Sequence, residues 1–233
     1  MLHAMWLSLK RSVEMLILYG LPVSTFSTKV RIALHAKGIA FDERPPPGGY
    51  RSDAWRAIIP TGTIPAIDHD GFLLAESEAI IEYLDEAFEG PALLPGNAAA
   101  RARVRMLARV HDLAVEPAVR ALFPLIRDPA RREALPTLAA AIAERLRQLE
   151  QLRSGDAHWI AGEAFSTADC GFAVTLRLAV RLLEALGQPL AMPDSIAGWL
   201  ARSADHPAVA TGLAPWHPAT EAWLAQALVG APQ

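Results

Sequence analysis

Cysteine is all but missing from this chain of 233 residues. With Cys170 alone, an internal disulfide, a cysteine-rich metal site and a dithiol redox pair are excluded, and no metal site is expected. Such usage fits a reducing, cytoplasmic setting. Long apolar runs are missing too. The most hydrophobic helix candidate, 172–186, carries Arg177, Arg181 and Glu184, so no membrane span is expected. Nor is one sign of charge in surplus: 22 Lys and Arg against 25 Asp and Glu leave a net charge of −3. That gives no footprint for a nucleic-acid backbone or an anionic membrane, and neither is expected as a partner. The apolar start, 1–9, is followed rather than preceded by the basic pair Lys10 and Arg11, the reverse of a secretory signal. Residues 1–14 read as an extension, with Met15 a candidate start.

What is present is apolar. Hydrophobic residues make up 52% and charged ones 20%, the balance of a soluble globular protein with room for two ordinary domains. Residues 15–19 form a short apolar run closed by Gly20 and Pro22, which predicts a buried strand and a turn. Ser24, Thr25 and Ser27 can each cap a helix over 29–37, where Val30, Ala33 and Leu34 share a face and Gly38 supplies the stop. A second strand over 39–43, a loop at 45–49 and a short helix over 52–58 follow. Segments 66–68 and 72–74 then flank His69-Asp70-Gly71 as a hairpin. Ile80, Ile81, Leu84 and Phe88 space a third helix over 77–88. Gly90, Pro91, Pro95, Gly96 and Asn97 break both periodicities, so a linker at 91–97 is expected between domains 15–90 and 98–228. Beyond it only helical patterns occur: 98–120 with a bend near Pro117, 136–152, 167–186, 195–202, and shorter pieces after Pro207 and Pro218. The fold class is α/β followed by all-α. Ser166 and Asp169 form a capping box, with Phe165 and Cys170 where a hydrophobic staple would join. That makes Cys170 a core residue and not a nucleophile.

Strand, helix, strand, helix, hairpin, helix and then an all-helical half is an order that resembles the glutathione transferases. Three segments carry the resemblance. Ser24-Thr25-Phe26-Ser27 leading into Lys29-Val30-Arg31-Ile32 and Lys37-Gly38-Ile39 resembles that family's strand-one to helix-one segment. Thr63-Ile64-Pro65-Ala66-Ile67 resembles its cis-proline segment, and Glu76-Ser77-Glu78-Ala79-Ile80-Ile81 resembles the start of its glutathione-anchoring helix. The likeness is to a serine-using, zeta- or theta-like bacterial branch. It implies a thioredoxin-like βαβαββα domain, an all-helical domain, glutathione as co-substrate and a homodimer.

The chemistry explains why such residues are needed. The thiol of glutathione has a pKa of roughly 8.5, so at neutral pH it is mostly protonated, whereas the thiolate is the nucleophile. A helix N-terminus offers unpaired N–H groups and a partial positive charge. A hydroxyl there can donate one more bond to sulfur, a charge-assisted contact worth roughly 1.5–3 kcal/mol, or about one to two pKa units. The resemblance puts Ser24 in that role, with Thr25 as the alternative; the plainer reading of Ser24 is a helix N-cap. Tyr19 falls too early for the tyrosine of other classes. By the same resemblance, Thr63, Ile64 and Pro65 hold the cysteinyl part of glutathione, Glu76 meets its ammonium and Ser77 its γ-glutamyl carboxylate. Plainer readings are an edge proline, a first-turn acid and a cap.

For the second substrate the helical half offers His111, Glu116, Arg120 and Phe123, and Trp216 near the end, although such side chains more often pack against neighbours. There are departures from the family pattern. Many relatives carry Asn where Ile59 stands and Lys, Arg or Gln where Thr63 stands. The zeta-class isomerases have a serine-serine-cysteine run where this chain has Ser24-Thr25-Phe26. The expected activity is transfer of the glutathione thiolate to a hydrophobic electrophile. The alternatives are a glutathione-dependent isomerase of the maleylacetoacetate or maleylpyruvate type, and a non-catalytic interaction module.

Overall fold

Four short strands, Leu16–Tyr19 (β1), Asp42–Arg44 (β2), Ala66–His69 (β3) and Phe72–Ala75 (β4), form one mixed sheet in the computed structural model. The structure describes residues 15–153, 155 and 157–229; the extension expected at 1–14 lies outside the described residues. The strand order is β2-β1-β3-β4. β1 pairs in parallel with β2, Ile17 opposite Asp42, and antiparallel with β3, Leu18 opposite Ile67. β3 and β4 are antiparallel, with Ala66 opposite Ala75.

Three helices belong to this part: Thr25–Lys37 (α1), Asp53–Arg56 (α2) and Ser77–Ala87 (α3). Side chains alternate between the faces of a strand, so β1 and β3 serve two cores. Leu18 and Ile67 join Val30, Leu34, Ile80, Ile81 and Leu84 of α1 and α3 in the main one. Ala66 joins Trp55 and Ile59 in a smaller one, with Tyr19 packed against it. The Tyr19 and Trp55 rings are 5.2 Å apart, which makes Tyr19 a packing residue. The thioredoxin-like order implied by the resemblance is therefore present.

Two boundaries move for local reasons. Helix α1 starts at Thr25 instead of 29, because Ser24 Oγ accepts from the Ser27 N–H and caps it there. Strand β2 starts at Asp42 instead of 39, because the Ile39 N–H is spent on Leu34 O in closing α1 over the left-handed Gly38. The chain then reaches the helical half through residues 88–97. Asp85 ties this passage down, accepting from Leu93 N at 2.7 Å, Leu94 N at 3.1 Å and Lys37 Nζ at 3.0 Å.

The helical half comprises Ala98–Val110 (α4), a π turn at His111–Val115, Glu116–Arg120 (α5), Phe123–Arg127 (α6), a 3-10 turn at Pro129–Ala134 and Leu135–Leu152 (α7). Thr167–Ala185 (α8), Asp194–Ser203 (α9), Pro207–Leu213 (α10) and Trp216–Val229 (α11) complete it. The bend expected near Pro117 takes the form of the π turn before it. Pro117 has no N–H and crowds the carbonyl four residues back, that of Leu113, so the turn widens. Helix α6 and the 3-10 turn were not foreseen, since Pro124 and Pro129 interrupt the apolar period although each sits in a first-turn position.

Helix α8 is the buried axis, and the Ser166–Asp169 capping box opens it. Asp169 also accepts from Ile160 N at 2.9 Å and Trp199 Nε1 at 3.0 Å. Cys170 is fully buried, which pushes its thiol well above the usual range and takes it out of nucleophilic chemistry. Two glycines set the close approaches. A Cβ at Gly171 would stand 2.7 Å from the His111 ring, and one at Gly212 would meet the Ile32 side chain at 2.5 Å, so the π turn and α8 on one side and α1 and α10 on the other can lie together. Among the described residues no helix is long and apolar enough to cross a membrane.

Candidate functional site

A cavity of about 780 Å³ opens between the sheet end of the molecule and the helices above it. One wall is local in sequence: the turn that carries Ser24, the loop of Thr63, Ile64 and Pro65, and the start of α3 at Glu76 and Ser77. The opposite wall comes from the helical half, through Arg109, Leu113, Arg120, Phe123 and Trp223.

Ser24 lines the cavity at the N-terminus of α1. Its Oγ accepts from Ser27 N at 3.2 Å, and its own proton has no acceptor among the described residues. Capping a helix and donating outward are therefore compatible at this one hydroxyl. The Ile64–Pro65 peptide is cis, and the Ile64 amide and carbonyl have no backbone partner among the described residues. Glu76 has a left-handed φ of 72°, and Ser77 opens α3 directly after it. Thr63 reaches the wall with its hydroxyl 2.7 Å from that of Thr61.

Thr25, expected as the alternative thiol donor, is not free to act. Its hydroxyl donates to Glu116 Oε1 at 2.6 Å and accepts from Arg120 Nη2 at 2.9 Å, so its single proton is committed. Glu116 and His111, expected in the substrate pocket, are each 1% exposed and stand behind the wall instead. Glu116 holds Thr25, Arg120 and the Thr175 hydroxyl. His111 is pinned between Asp112 at 2.7 Å and Thr175 at 2.9 Å, with its ring over Gly171. Trp216 is buried elsewhere, under a second cavity.

Of the expected substrate residues, Arg120 and Phe123 do line the cavity. The Arg120 guanidinium lies 5.1 Å from the Phe26 ring centre and 5.6 Å from that of Phe123, while Glu116 Oε1 anchors it at 2.8 Å. Sequence reasoning missed Tyr50, Arg109, Leu113 and Trp223. Trp223 lies two turns beyond Trp216 on α11. Arg109 and Leu113 are four apart, a spacing that marks one helix face and could have replaced His111 as the guide. Tyr50 sits in the glycine-proline loop, where no pattern points to a cavity.

Behind Ser77 a buried cation organises the site. Lys29 Nζ lies 2.7 Å from Glu78 Oε2 and 2.8 Å from Asp112 Oδ1, with its side chain 1% exposed. Burial alone would lower the Lys29 pKa, but the two carboxylates more than offset it and raise the value. For Asp112 burial would raise the pKa; the hydrogen bond with His111 and the Lys29 charge outweigh it and hold the carboxyl at about 2. Glu78 also accepts from Thr167 Oγ1 at 3.0 Å. Helices α1, α3 and α8 and the π turn are thus joined through polar groups at the back of the cavity.

Residues 18–92 match the family described as the glutathione S-transferase N-terminal domain. A maleylacetoacetate isomerase of Pseudomonas aeruginosa is 35% identical over 178 residues, 72% of this chain and 84% of that protein. The chain belongs to the glutathione transferase family. A glutathione S-transferase of Pseudomonas putida is 29% identical over 194 residues, 78% of this chain and 81% of its own. Among solved structures, a Bombyx mori glutathione transferase superposes with a TM-score of 0.76 at 24% identity, over 93% of this chain and 99% of its own. A glutathione transferase family member from Pseudomonas fluorescens, with two glutathione bound, gives 0.74 at 22% identity, over 89% and 96%. At those identities the likeness is one of fold. As a glutathione transferase family member the chain is an enzyme, with its family-matched segment forming the sheet-side wall of the cavity.

Proposed function

We propose that the cavity binds glutathione against the sheet-side wall, keeps its sulfur as a thiolate on Ser24, and delivers that thiolate to an electrophilic carbon in the space under the helical wall. The observation that carries this reading is the uncommitted Ser24 hydroxyl proton at the N-terminus of α1, in one cavity with the cis-proline loop and the Glu76–Ser77 corner. Ser24 acts as donor and not as base, since its own proton is far too tightly held. The thiol proton leaves to solvent, and the thiolate left behind is favoured by the Ser24 O–H and by the partial charge of the helix end. Its lone pair forms the C–S bond. A leaving group departs with its electron pair, or an added-to double bond takes up a proton. Glu76 and Ser77 are suited to the γ-glutamyl ammonium and carboxylate, and the free Ile64 amide and carbonyl to the cysteinyl backbone. On this reading residues 15–90 are the glutathione domain, 98–228 supply the electrophile wall across a linker at 91–97, and the protein works as a cytoplasmic homodimer.

A second reading has its own support. Arg109 makes no ion pair or hydrogen bond among the described residues and stands in the same wall as Arg120. Two guanidiniums facing the electrophile favour an anionic substrate, and the isomerase among the relatives is named for one. In that case the thiolate adds to a cis double bond, the new single bond rotates, and elimination returns the glutathione. Stoichiometry separates the two. Conjugation consumes one glutathione per turnover, whereas isomerisation needs it and leaves its concentration unchanged. Assay against a panel of aromatic electrophiles and cis-dienoic acids, with thiol titrated before and after, decides between them. Equal rates with and without glutathione for every substrate would contradict both.

A further inference from the structure

A second cavity, of about 630 Å³, lies along α8 where α9 and the start of α11 pack on it, and it shares no lining residue with the first. Leu190, Met192, Leu200 and Trp216 make it apolar, and Arg177 stands among them. Arg177 is an anomaly. Burial brings its pKa down to about 10, which is the mark of a cation removed from water without a counter-charge. Its Nη1 donates to Ala173 O at 2.7 Å and Ser203 Oγ at 3.1 Å, and its Nη2 to Leu200 O at 2.9 Å and Ser203 Oγ at 3.2 Å. Every one of these acceptors is neutral. Three of these bonds tie α8 to the last turn of α9 and the fourth stays within α8; together they use four N–H groups and leave Nε with no partner among the described residues.

Nor does any carboxylate among the described residues compensate the charge. Glu184 and Glu221 are both held by Arg181, at 2.6 Å and 2.8 Å. His217 borders the same cavity, and burial together with Arg177 lowers its pKa, so it adds no competing cation near neutral pH. Trp216 lines the same cavity, and its Nε1 is a buried donor with no acceptor among the described residues. An uncompensated guanidinium beside apolar surface is unfavourable until an anion arrives, and a cavity of this size accommodates a small ligand.

We propose that this cavity is a binding site for a small amphipathic carboxylate, its head on Arg177 Nε and its apolar body along Leu190, Met192 and Leu200. The site stands on its own observations and is independent of what the first cavity does.

Calorimetric titration of the full chain with sodium decanoate, below the concentration at which decanoate aggregates, tests it. One molecule is expected to bind per chain, with saturating glutathione leaving the affinity unchanged. Arg177→Met is expected to weaken binding by at least about tenfold, and decan-1-ol to bind at least about tenfold more weakly than decanoate, since each removes one partner of a charge pair. Leu190→Glu, at the half-buried edge of the cavity, is expected to weaken decanoate as much while leaving the circular dichroism spectrum and thermal unfolding unchanged, which keeps the test open if Arg177→Met fails to fold. Absence of binding to the wild type, displacement by glutathione, equal affinity for decanol, or affinity that survives these substitutions would overturn the proposal.

Discussion

Glu76 holds a left-handed backbone with φ of 72°, a conformation that costs a glutamate roughly 1–3 kcal/mol. Its carboxylate has no ion pair or hydrogen bond among the described residues, and it faces the cavity. Strain at a corner that also presents a helix N-terminus fits a clamp for a ligand carrying both charges. Glu76→Ala and Ser77→Ala should each weaken glutathione binding by roughly 1–3 kcal/mol, through loss of a charged partner in a partly enclosed site. Calorimetry would show this directly, and unchanged affinity in both variants would put glutathione elsewhere. Thr25 illustrates a different residue-scale point. Its neighbour in sequence carries the free hydroxyl, yet its own is committed to a glutamate 91 residues away, which no local pattern could reveal.

At the scale of elements, α1, α3 and the π turn converge on Lys29. Replacing it with methionine would leave Glu78 and Asp112 buried beside each other without a cation, and breaking a buried pair in this way costs roughly 3–5 kcal/mol. Chemical denaturation of Lys29→Met should report a loss of that order, and a loss below about 1 kcal/mol would mean the pair is structurally idle. The same cluster sets an acid limit. The folded Asp112 carboxyl sits at about 2, below its usual 3.8, so its contribution is complete above about pH 4 and is lost as pH falls through 2. That contribution is roughly 2 kcal/mol, and Asp112→Asn should flatten the corresponding part of the acid limb. These elements were legible to different degrees. The start of α8 follows from cap chemistry, whereas α3 opens after Glu76 without a side-chain cap; the cis-proline and Glu76–Ser77 segments follow from their resemblance and spacing. The bend near Pro117 was legible, but its form as a π turn was not, nor that His111 lies in the core while Arg109 and Leu113 line the cavity. Ser24, the cis-proline loop and the Glu76–Ser77 corner on one side, and Arg120 and Phe123 on the other, could be assigned to the cavity from sequence, whereas Tyr50, Arg109, Leu113 and Trp223 could not.

For the whole molecule, the sheet is only four strands wide and leaves Phe72 and Leu73 of β4 and Met106 of α4 exposed. A second copy packed around a two-fold axis, the first domain of one subunit on the helical domain of the other, would cover such surface. Arg105 already pairs with Glu82, bringing α4 and α3 together along that side. Light scattering at micromolar concentration should give about twice the chain mass, and a Phe72→Glu, Leu73→Glu variant should shift toward the single-chain mass. A fully active monomer would remove the dimer from the account while leaving the cavity untouched.

The proposed thiolate depends most heavily on the Ser24 hydroxyl, and titration of the bound thiol tests that role most directly. In the wild type the ultraviolet thiolate band of bound glutathione should appear about one to two pH units below that of free glutathione, whose thiol titrates near roughly 8.5. In Ser24→Ala the bound pKa should move most of the way back, with turnover falling in step and glutathione affinity changing little, because the lost bond acts on the anion. Ser24→Ala with an unshifted thiol pKa and full turnover would contradict the claim and return the stabilisation to the helix end alone.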